Sequence, residues 1–472
     1  MSTHEDAESL DPGVVAGAPA AASGEARRSF DRRAFLVAGL GAAGVVAGAA
    51  SLLHGSRPSP ARTGTASGSP SDGPPSSASS VSSVSSASPA AARTAPRKGS
   101  AGRRRLVVIE LDGGNDGLST LVPYGIAGYR DVRKRLAIDD KELIHLDSKV
   151  ALHRNLRGLH DRGVAILQGV GSPVPDGSHF AMMERWWRGD VTGKANLSTG
   201  FLGRLCDAIG DPEAPIVGLS IGSGSHPALV AAKAPTMSIP GPESAGYLVG
   251  ADKGDTLRVA FQSAFATMAT ATDGPAGLAL SRRGSADALS VARMLQALGD
   301  DQRKDVVDYP GSNLGNGLKL SARLLAANDG VRVVHVPMGA DFDTHHDHPN
   351  RHPGLLAELN DAMAAFLDDL HRLGLGDDVL VMTTSEFGRT AKDNASNGLD
   401  HGTASVALLA GPVVAGLHGE HPSLTVFDDN DDLVATVGFD AYYATIAEKW
   451  FGVPASDVLP GTIRPLDGLL TV

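Results

Sequence analysis

Val331-Arg332-Val333-Val334-His335-Val336, the run from Pro353 to Leu373, and Val379-Leu380-Val381-Met382 are the stretch that decides the fold. The outer segments are short, β-branched and apolar, as strands buried on both faces are. Between them Leu355, Leu356, Leu359, Met363, Phe366, Leu367 and Leu370 recur at helical spacing. Strand, amphipathic helix, strand is a βαβ unit and predicts a parallel sheet. Working outward, Leu106 to Leu111 is a similar run broken only by Glu110. Val164 to Val170 follows a polar helix expected over Asn155 to Arg162, and Val406 to Ala410 is a further apolar run. Asp440 to Phe451 reads as a closing helix, capped by Asp440 and stopped by Gly452 and Pro454. Residues 195–313 are rich in Gly, Ser and Pro and hold one expected helix, Ser285 to Leu298. They read as a cap or as insertions over a site.

Acidic residues and histidines gather beside these strand ends: Asp112 to Asn115, Asp341 to His345, Ser385 to Arg389, and Asp400 to Gly402. In open α/β sheets ligands bind beyond the carboxyl ends of the strands, so carboxylates and imidazoles collected there predict a metal site. Asp112 ends the first run, and Gly113-Gly114 lets the chain turn sharply against a ligand; an ordinary polar turn reads the same way. Asp343 and His345 are the preferred ligands of the Asp341-to-His345 loop, with Asp341 beside them and His346, His348 and His352 as partial bystanders. Glu386 is a ligand candidate or merely a partner for Arg389, which in a metal site would clamp a tetrahedral oxyanion. His401 completes the shell or protonates a leaving oxygen, with Asp400 orienting its ring. Ser178 precedes an expected helix, Phe180 to Arg188, and is either an N-cap or a nucleophile favoured by the helix end and a nearby cation. His179 is read as a ligand or as a positioner of the leaving group.

The first hundred residues are of another kind. Arg27-Arg28-Ser29-Phe30-Asp31-Arg32-Arg33-Ala34-Phe35-Leu36 and the Ala/Gly/Val/Leu run to Leu53 form a twin-arginine export signal over residues 1–54. Ala47-Gly48-Ala49 offers a cleavage site; uncleaved, the run is a weakly hydrophobic anchor, the chain's one expected membrane contact. Residues 55–102 are Ser, Pro, Ala, Gly and Thr, a disordered linker with too little apolar surface to offset its ordering. Residues 103–472 form the folded domain. A net charge of −11 argues against nucleic acid as a partner, and Cys206, the only cysteine, excludes an internal disulfide. The expected partners are the twin-arginine translocase and an ester substrate, small or polysaccharide-linked.

Five motifs occur in order: Leu111-Asp-Gly-Gly-Asn-Asp-Gly117, Ser178-His-Phe180, Phe342-Asp-Thr-His345, Ser385-Glu-Phe-Gly-Arg389 and Asp400-His-Gly402, followed by Gly419-Glu-His-Pro-Ser-Leu424. Together they resemble the exported bacterial family known as domain of unknown function 1501, over nearly all of 105–472. That family in turn resembles the alkaline phosphatase and sulfatase superfamily. The likeness implies an α/β architecture, a mostly parallel sheet sandwiched between helices, with divalent metal (Zn, Ca, Mg or Mn) at the strand ends. It implies Asp112 as first-strand ligand, Ser178 as nucleophile, Asp341 or Asp343 with His345 as a ligand pair, and His401 as the late histidine. Glu386 stands where the superfamily often has the Asp of Asp-His-Gly. Phe387 replaces that motif's His, which puts a second metal in doubt; a harder ion on carboxylates and Asn115, itself among the catalytic candidates, is the other arrangement. The expected function is an exported metal-dependent hydrolase of phosphate or sulfate esters. The alternative is a non-catalytic envelope or polysaccharide-binding protein on the same fold.

Overall fold

The computed structural model describes residues 103–472 except 212, 251–253, 273, 276–277, 301–305 and 328–329. The export signal and linker lie outside the described residues. Twelve strands are present among those described: β1 Arg105–Glu110, β2 Leu121–Val122, β3 Leu143–His145, β4 Ala151–His153, β5 Ala165–Gly171, β6 Gly218–Ile221, β7 Thr236–Ile239, β8 Val333–Pro337, β9 Val379–Thr384, β10 Ser405–Ala410, β11 Gly416–His418 and β12 Val437–Gly438. Nine form one sheet in the order β11-β5-β10-β9-β1-β8-β6-β7, with β12 also on β5; β2, β4 and β3 form a small antiparallel sheet. Only the two pairings of β10 are antiparallel in the large sheet.

The deciding stretch folds as a βαβ unit, but β8 and β9 are not neighbours. β1 lies between them, parallel to both. The connecting helix is His348–Arg372, starting five residues before Pro353, so that His348 and His352 join its buried face. Its apolar face, with Leu356, Leu359, Met363 and Phe366, meets Val107, Ile109 and Val334 on one side of the sheet. On the other side Leu106, Val108 and Val333 pack against Met182, Trp186, Phe201, Tyr442 and Trp450. The strict alternation of β1 and β8 divides their residues between the two layers. Helices on both faces of a mixed, mostly parallel sheet are the architecture expected from the sequence.

Several elements differ. Residues 195–313 contribute β6 and β7 to the edge of the main sheet, besides helices Phe201–Ile209, Thr256–Thr270 and Ala279–Asp300. The segment expected as a helix over Asn155 to Arg162 is a 3₁₀ turn followed by a short helix, Arg157–Asp161. The closing helix begins at Phe439 with Gly438 as cap and continues as a π-helix, Ile446–Phe451. Asp440 therefore lies inside the first turn, where its carboxylate accepts the Ala441 N–H. Among the described residues no helix is long and apolar enough to cross a membrane.

Candidate metal centre

β1, β8 and β9 end side by side, and the turns leaving them build the site. After β1, Gly113 and Gly114 have φ of +100° and +85°, and a Cβ at Gly113 would collide with the Asp343 backbone. Only glycine lets the two loops close on each other here. Below them Phe387, almost fully buried, stacks its ring on His401 at 4.6 Å and tilts against His179 at 4.8 Å.

Four residues from three of the sequence motifs converge above Phe387. His179, Asp343 and His401 each offer one ligand atom within 4.8 Å of the others. His345 joins them, its Nε2 lying 3.1 Å from Asp343 Oδ1 and 2.8 Å from His401 Nε2. The outer nitrogens decide the chemistry. His179 Nδ1 lies 2.9 Å from Glu386 Oε1, His345 Nδ1 2.9 Å from Asp400 Oδ1, and His401 Nδ1 2.7 Å from the Gly177 carbonyl. Each of those partners is an acceptor, so each Nδ1 carries a hydrogen and each Nε2 faces inward toward Asp343 and the other rings. Were all three rings neutral, three lone pairs would face one another around a carboxylate, a repulsive arrangement that a cation, or a proton shared as in the 2.8 Å His345–His401 contact, relieves. Metal-ligating histidines are held in this orientation, the nitrogen away from the metal giving its hydrogen to an acceptor.

The spacing of His179, Asp343 and His401 is close to that of a metal site, whereas His345 and His401 stand at hydrogen-bond distance, 2.8 Å. Bonds of 2.0–2.1 Å in a tetrahedron place ligand atoms about 3.3–3.4 Å apart. Asp343 Oδ1 lies 3.5 Å from His401 Nε2 and 3.8 Å from His179 Nε2. Burial alone would raise the Asp343 carboxyl, but the Arg389 guanidinium outweighs it and holds the group below the usual carboxylate range. The Glu386 hydrogen bond raises His179, whereas burial lowers His401.

The remaining candidates surround this group. Glu386 reaches it through His179 and also accepts the Gly113 N–H at 2.8 Å. Asp112 lies to one side, its carboxyl pushed up to about 7 by burial and by the charges of Glu110, Glu386 and Asp341. Asp341 is exposed and caps the loop, accepting the Asp343 N–H at 2.8 Å. Ser178 is the N-cap of helix His179–Arg188; its Oγ takes the Ala181 N–H at 3.5 Å and is exposed. Its chain neighbours Gly177 and His179 are both tied to the group, so Ser178 stands at the rim.

Two readings need correction. Arg389 does not face a substrate: fully buried, it donates to the carbonyls of Gly113, Gly114 and Leu399 and to Asp343. Its guanidinium is consumed in bracing the turn and aiming Asp343. Asn115 is buried as well, its carbonyl oxygen accepting from Thr120 Oγ1 at 3.0 Å and facing His352 Nε2 at 3.1 Å. It belongs to the scaffold behind the site.

A second group was missed from the sequence. Glu110, His226 and His335 also place ligand-type atoms within 4.8 Å. Glu110 Oε2 lies 2.7 Å from His335 Nε2 and 3.1 Å from His226 Nε2, while Oε1 accepts the Trp187 indole N–H at 2.7 Å. Here the outer nitrogens behave differently. His226 Nδ1 accepts the Ala228 N–H at 3.3 Å, and His335 Nδ1 faces the Ser220 hydroxyl at 3.0 Å. His226 therefore carries its hydrogen on Nε2, and with the Ser220 hydroxyl donating to its Nδ1 His335 does the same, so both give that hydrogen to Glu110 in a network that needs no metal. Burial would raise the Glu110 carboxyl, but its two histidine donors hold it well below the usual range. The signal that could have found this group is Glu110 and His335 interrupting apolar runs on adjacent strands, at positions that alternation sends to the same face.

A family model described as "Protein of unknown function (DUF1501)" matches residues 161–438. The Asp112 turn lies before that span, so the match covers less than the motifs suggested. No curated protein matches the chain. Among solved structures, a sulfatase from Pseudoalteromonas sp. is similar with 11% identity over 77% of this chain and 70% of that one, at a TM-score of 0.36. A protein in the alkaline phosphatase superfamily from Vibrio parahaemolyticus shares 10% identity over 74% and 67%, with a TM-score of 0.34. A phosphonate monoester hydrolase of Agrobacterium radiobacter shares 10% over 74% of each chain, with a TM-score of 0.31.

Proposed function

The chain belongs to the DUF1501 family, and from the geometry of its site we propose that it is an exported, metal-dependent hydrolase of phosphate or sulfate esters. One observation carries the reading: the imidazoles of His179, His345 and His401 present Nε2 to Asp343 while acceptors hold every Nδ1. The nitrogen-rich donor set suits Zn²⁺ or a similar borderline ion better than Ca²⁺ or Mg²⁺. Bound there, a divalent cation supplies Lewis-acid charge to an oxyanion that develops in the transition state. Asp343 and the three histidines hold that charge in place, Arg389 fixes Asp343, and Glu386 fixes His179. Ser178, at the rim and at a helix N-terminus, supplies the attacking hydroxyl. Asp112, with a carboxyl near neutrality, is suited to give or take a proton.

Export rests on the Arg27-to-Leu53 pattern, and the partners follow from it: the twin-arginine translocase, then an ester substrate, free or polysaccharide-linked, outside the cytoplasm. The rival reading, a non-catalytic envelope or polysaccharide-binding protein, is favoured by Phe387, an inert ring in the floor of the site. Elemental analysis of the purified protein, then a screen of phosphate and sulfate monoesters and diesters, separates the two. Bound metal with turnover is expected; bound metal with no turnover on any ester class would favour the rival. Replacing Arg32 and Arg33 by Lys should leave unprocessed protein in the cytoplasm, and unchanged export would refute that part of the proposal.

A further inference from the structure

A second kind of cation site lies on the loop between β11 and β12. Residues 428–432 read Asp-Asp-Asn-Asp-Asp, so Asp428, Asn430 and Asp432 alternate as a Asp-x-Asn-x-Asp series. Those are the residue types at positions 1, 3 and 5 of a calcium-binding loop, where alternate side chains turn their oxygens to one ion. The backbone is already curled. Asp428 N–H donates to the Asp432 carbonyl at 2.9 Å, and Asp428 Oδ1 accepts the N–H groups of Asn430 and Asp432, each at 2.9 Å. Asp431, with φ of +68°, makes the reversal possible.

Curled acidic loops are common without ions, and the observation that singles this one out concerns Asp432. Its residue is 8% exposed, and its Oδ1 is buried with no hydrogen-bond partner. Burial, and then the negative charges of Asp428, Asp431 and Asp400, push its carboxyl up to about 6, so it lies among acidic neighbours, two of them in this loop. Lys392 neutralises Asp431, which stands outside the alternating series. A carboxylate oxygen shut away from water without a donor is costly unless a cation or a proton reaches it.

We propose that Asp428, Asn430 and Asp432 bind a hard divalent cation, Ca²⁺ above all, through oxygen ligands alone. The site is distinct from the histidine-lined centre in donor type and does not depend on the hydrolase reading. Two departures set its strength: position 6 is Leu433 where a calcium loop has Gly, and position 12 is Phe439 where it has a bidentate Glu. With part of the ligand set missing, affinity belongs at the weak end, with Kd on the order of 10⁻⁴–10⁻³ M as in extracellular modules. That range suits a protein working outside the cytoplasm.

The test uses the full chain stripped of metal with chelator, then titrated with Ca²⁺ by calorimetry and by thermal melting. Saturable binding with a rise in Tm is expected. Asp432→Asn should weaken it by about tenfold or more, the range in which metal-site partners act. Asn430→Ala, at an exposed position, should weaken it as well without risk to the fold. Asp343→Ala, which breaks the histidine-lined centre, should leave Ca²⁺ binding unchanged. Absence of binding up to about 10 mM, well above that affinity range, would overturn the proposal. So would Ca²⁺ binding untouched by Asp432→Asn and Asn430→Ala, or abolished by Asp343→Ala.

Discussion

The Asp343 and Glu110 groups are built from the same parts, imidazoles turned toward a carboxylate beside the ends of β1 and β8, and they differ in what stands behind the rings. Behind His179, His345 and His401 are oxygen acceptors: Glu386, Asp400 and the Gly177 carbonyl. Behind His226 is a backbone N–H, which can only donate, and behind His335 a hydroxyl, which is free to donate. An acceptor behind a ring fixes the hydrogen on Nδ1 and exposes a lone pair in front; a donor does the reverse. On the proposed reading a cation completes the first group, whereas the second is finished by its own hydrogen bonds. Counting histidines and carboxylates within reach of one another ranks the two equally. The tautomers do not.

The comparison breaks most visibly in metal content and turnover. Asp343→Ala or His401→Ala should remove bound metal and lower ester hydrolysis by at least about 10²-fold, beyond what loss of an outer partner costs. Glu110→Gln should leave metal stoichiometry unchanged. Acidification sharpens the same point: protons compete with the metal for Nε2, so metal should leave as pH falls. Metal lost from Glu110→Gln and kept by Asp343→Ala, measured by elemental analysis, would invert the assignment.

A finished network should instead show itself in stability. Glu110→Ala removes the acceptor of two imidazoles and the Trp187 indole, leaving buried donors without partners. The expected loss is about 3 kcal/mol or more, read by denaturant unfolding of the metal-free protein. Asp343→Ala under the same conditions should also destabilise, because it strips the buried Arg389 of its carboxylate partner, but by less, since Asp343 is partly exposed and Arg389 keeps its three carbonyl partners. Equal losses in the two variants would erase the distinction between the groups.

How much of this was legible in the sequence follows from the range of each cue. β1, β5, β8, β9 and β10 were readable because nearly unbroken apolar runs report burial on both faces by themselves. β6 and β7 were not, since four-residue strands such as Gly218-Leu219-Ser220-Ile221 are too short for a period to show. The ligand candidates on loops were legible as residue types at strand ends, and Asp343, His345, His401 and His179 do meet. What Arg389 and Asn115 face depends on packing from distant segments, which local composition does not encode. His226 is harder still: it reaches Glu110 from a loop 116 positions away along the chain, after a strand that was itself unseen. Glu110 and His335 were the visible half of that network, polar residues in runs otherwise apolar.

Asp112 lies between the groups and feels both, through Glu110 on one side and Glu386 on the other. Its carboxyl is raised to about 7 from the unfolded value of about 3.8. Between those values the unfolded chain has lost the proton and the folded chain keeps it, so this group lowers stability as pH rises through that window. Asp112→Asn should therefore stabilise the metal-free protein above pH 7 and change little below about pH 4. The expected gain is about 1–2 kcal/mol, less than the full displacement because the carboxyl is partly exposed and solvent screens it. With metal bound the sign should reverse if Asp112 also contributes to holding the ion, and melting curves with and without chelator read both cases.

The smallest expected effect on stability belongs to Ser178, and its size separates cap from nucleophile. Its Oγ meets the Ala181 N–H at 3.5 Å, the outer limit of a hydrogen bond, and the residue is exposed. Ser178→Ala should then cost less than about 1 kcal/mol, the usual value of a well-made cap. Metal content should be unchanged, since none of the four converging ligand atoms comes from Ser178. Turnover, however, should fall almost completely, because the attacking hydroxyl is gone while the groups that stabilise the oxyanion remain. Ser178→Asp caps at least as well as serine, so it should recover the small stability loss and still be inactive. A Ser178→Ala protein that hydrolyses esters at the parental rate would leave Ser178 as a loose cap and move the attack to another group of the site. One that loses 2 kcal/mol or more would show the cap to be stronger than its long contact allows.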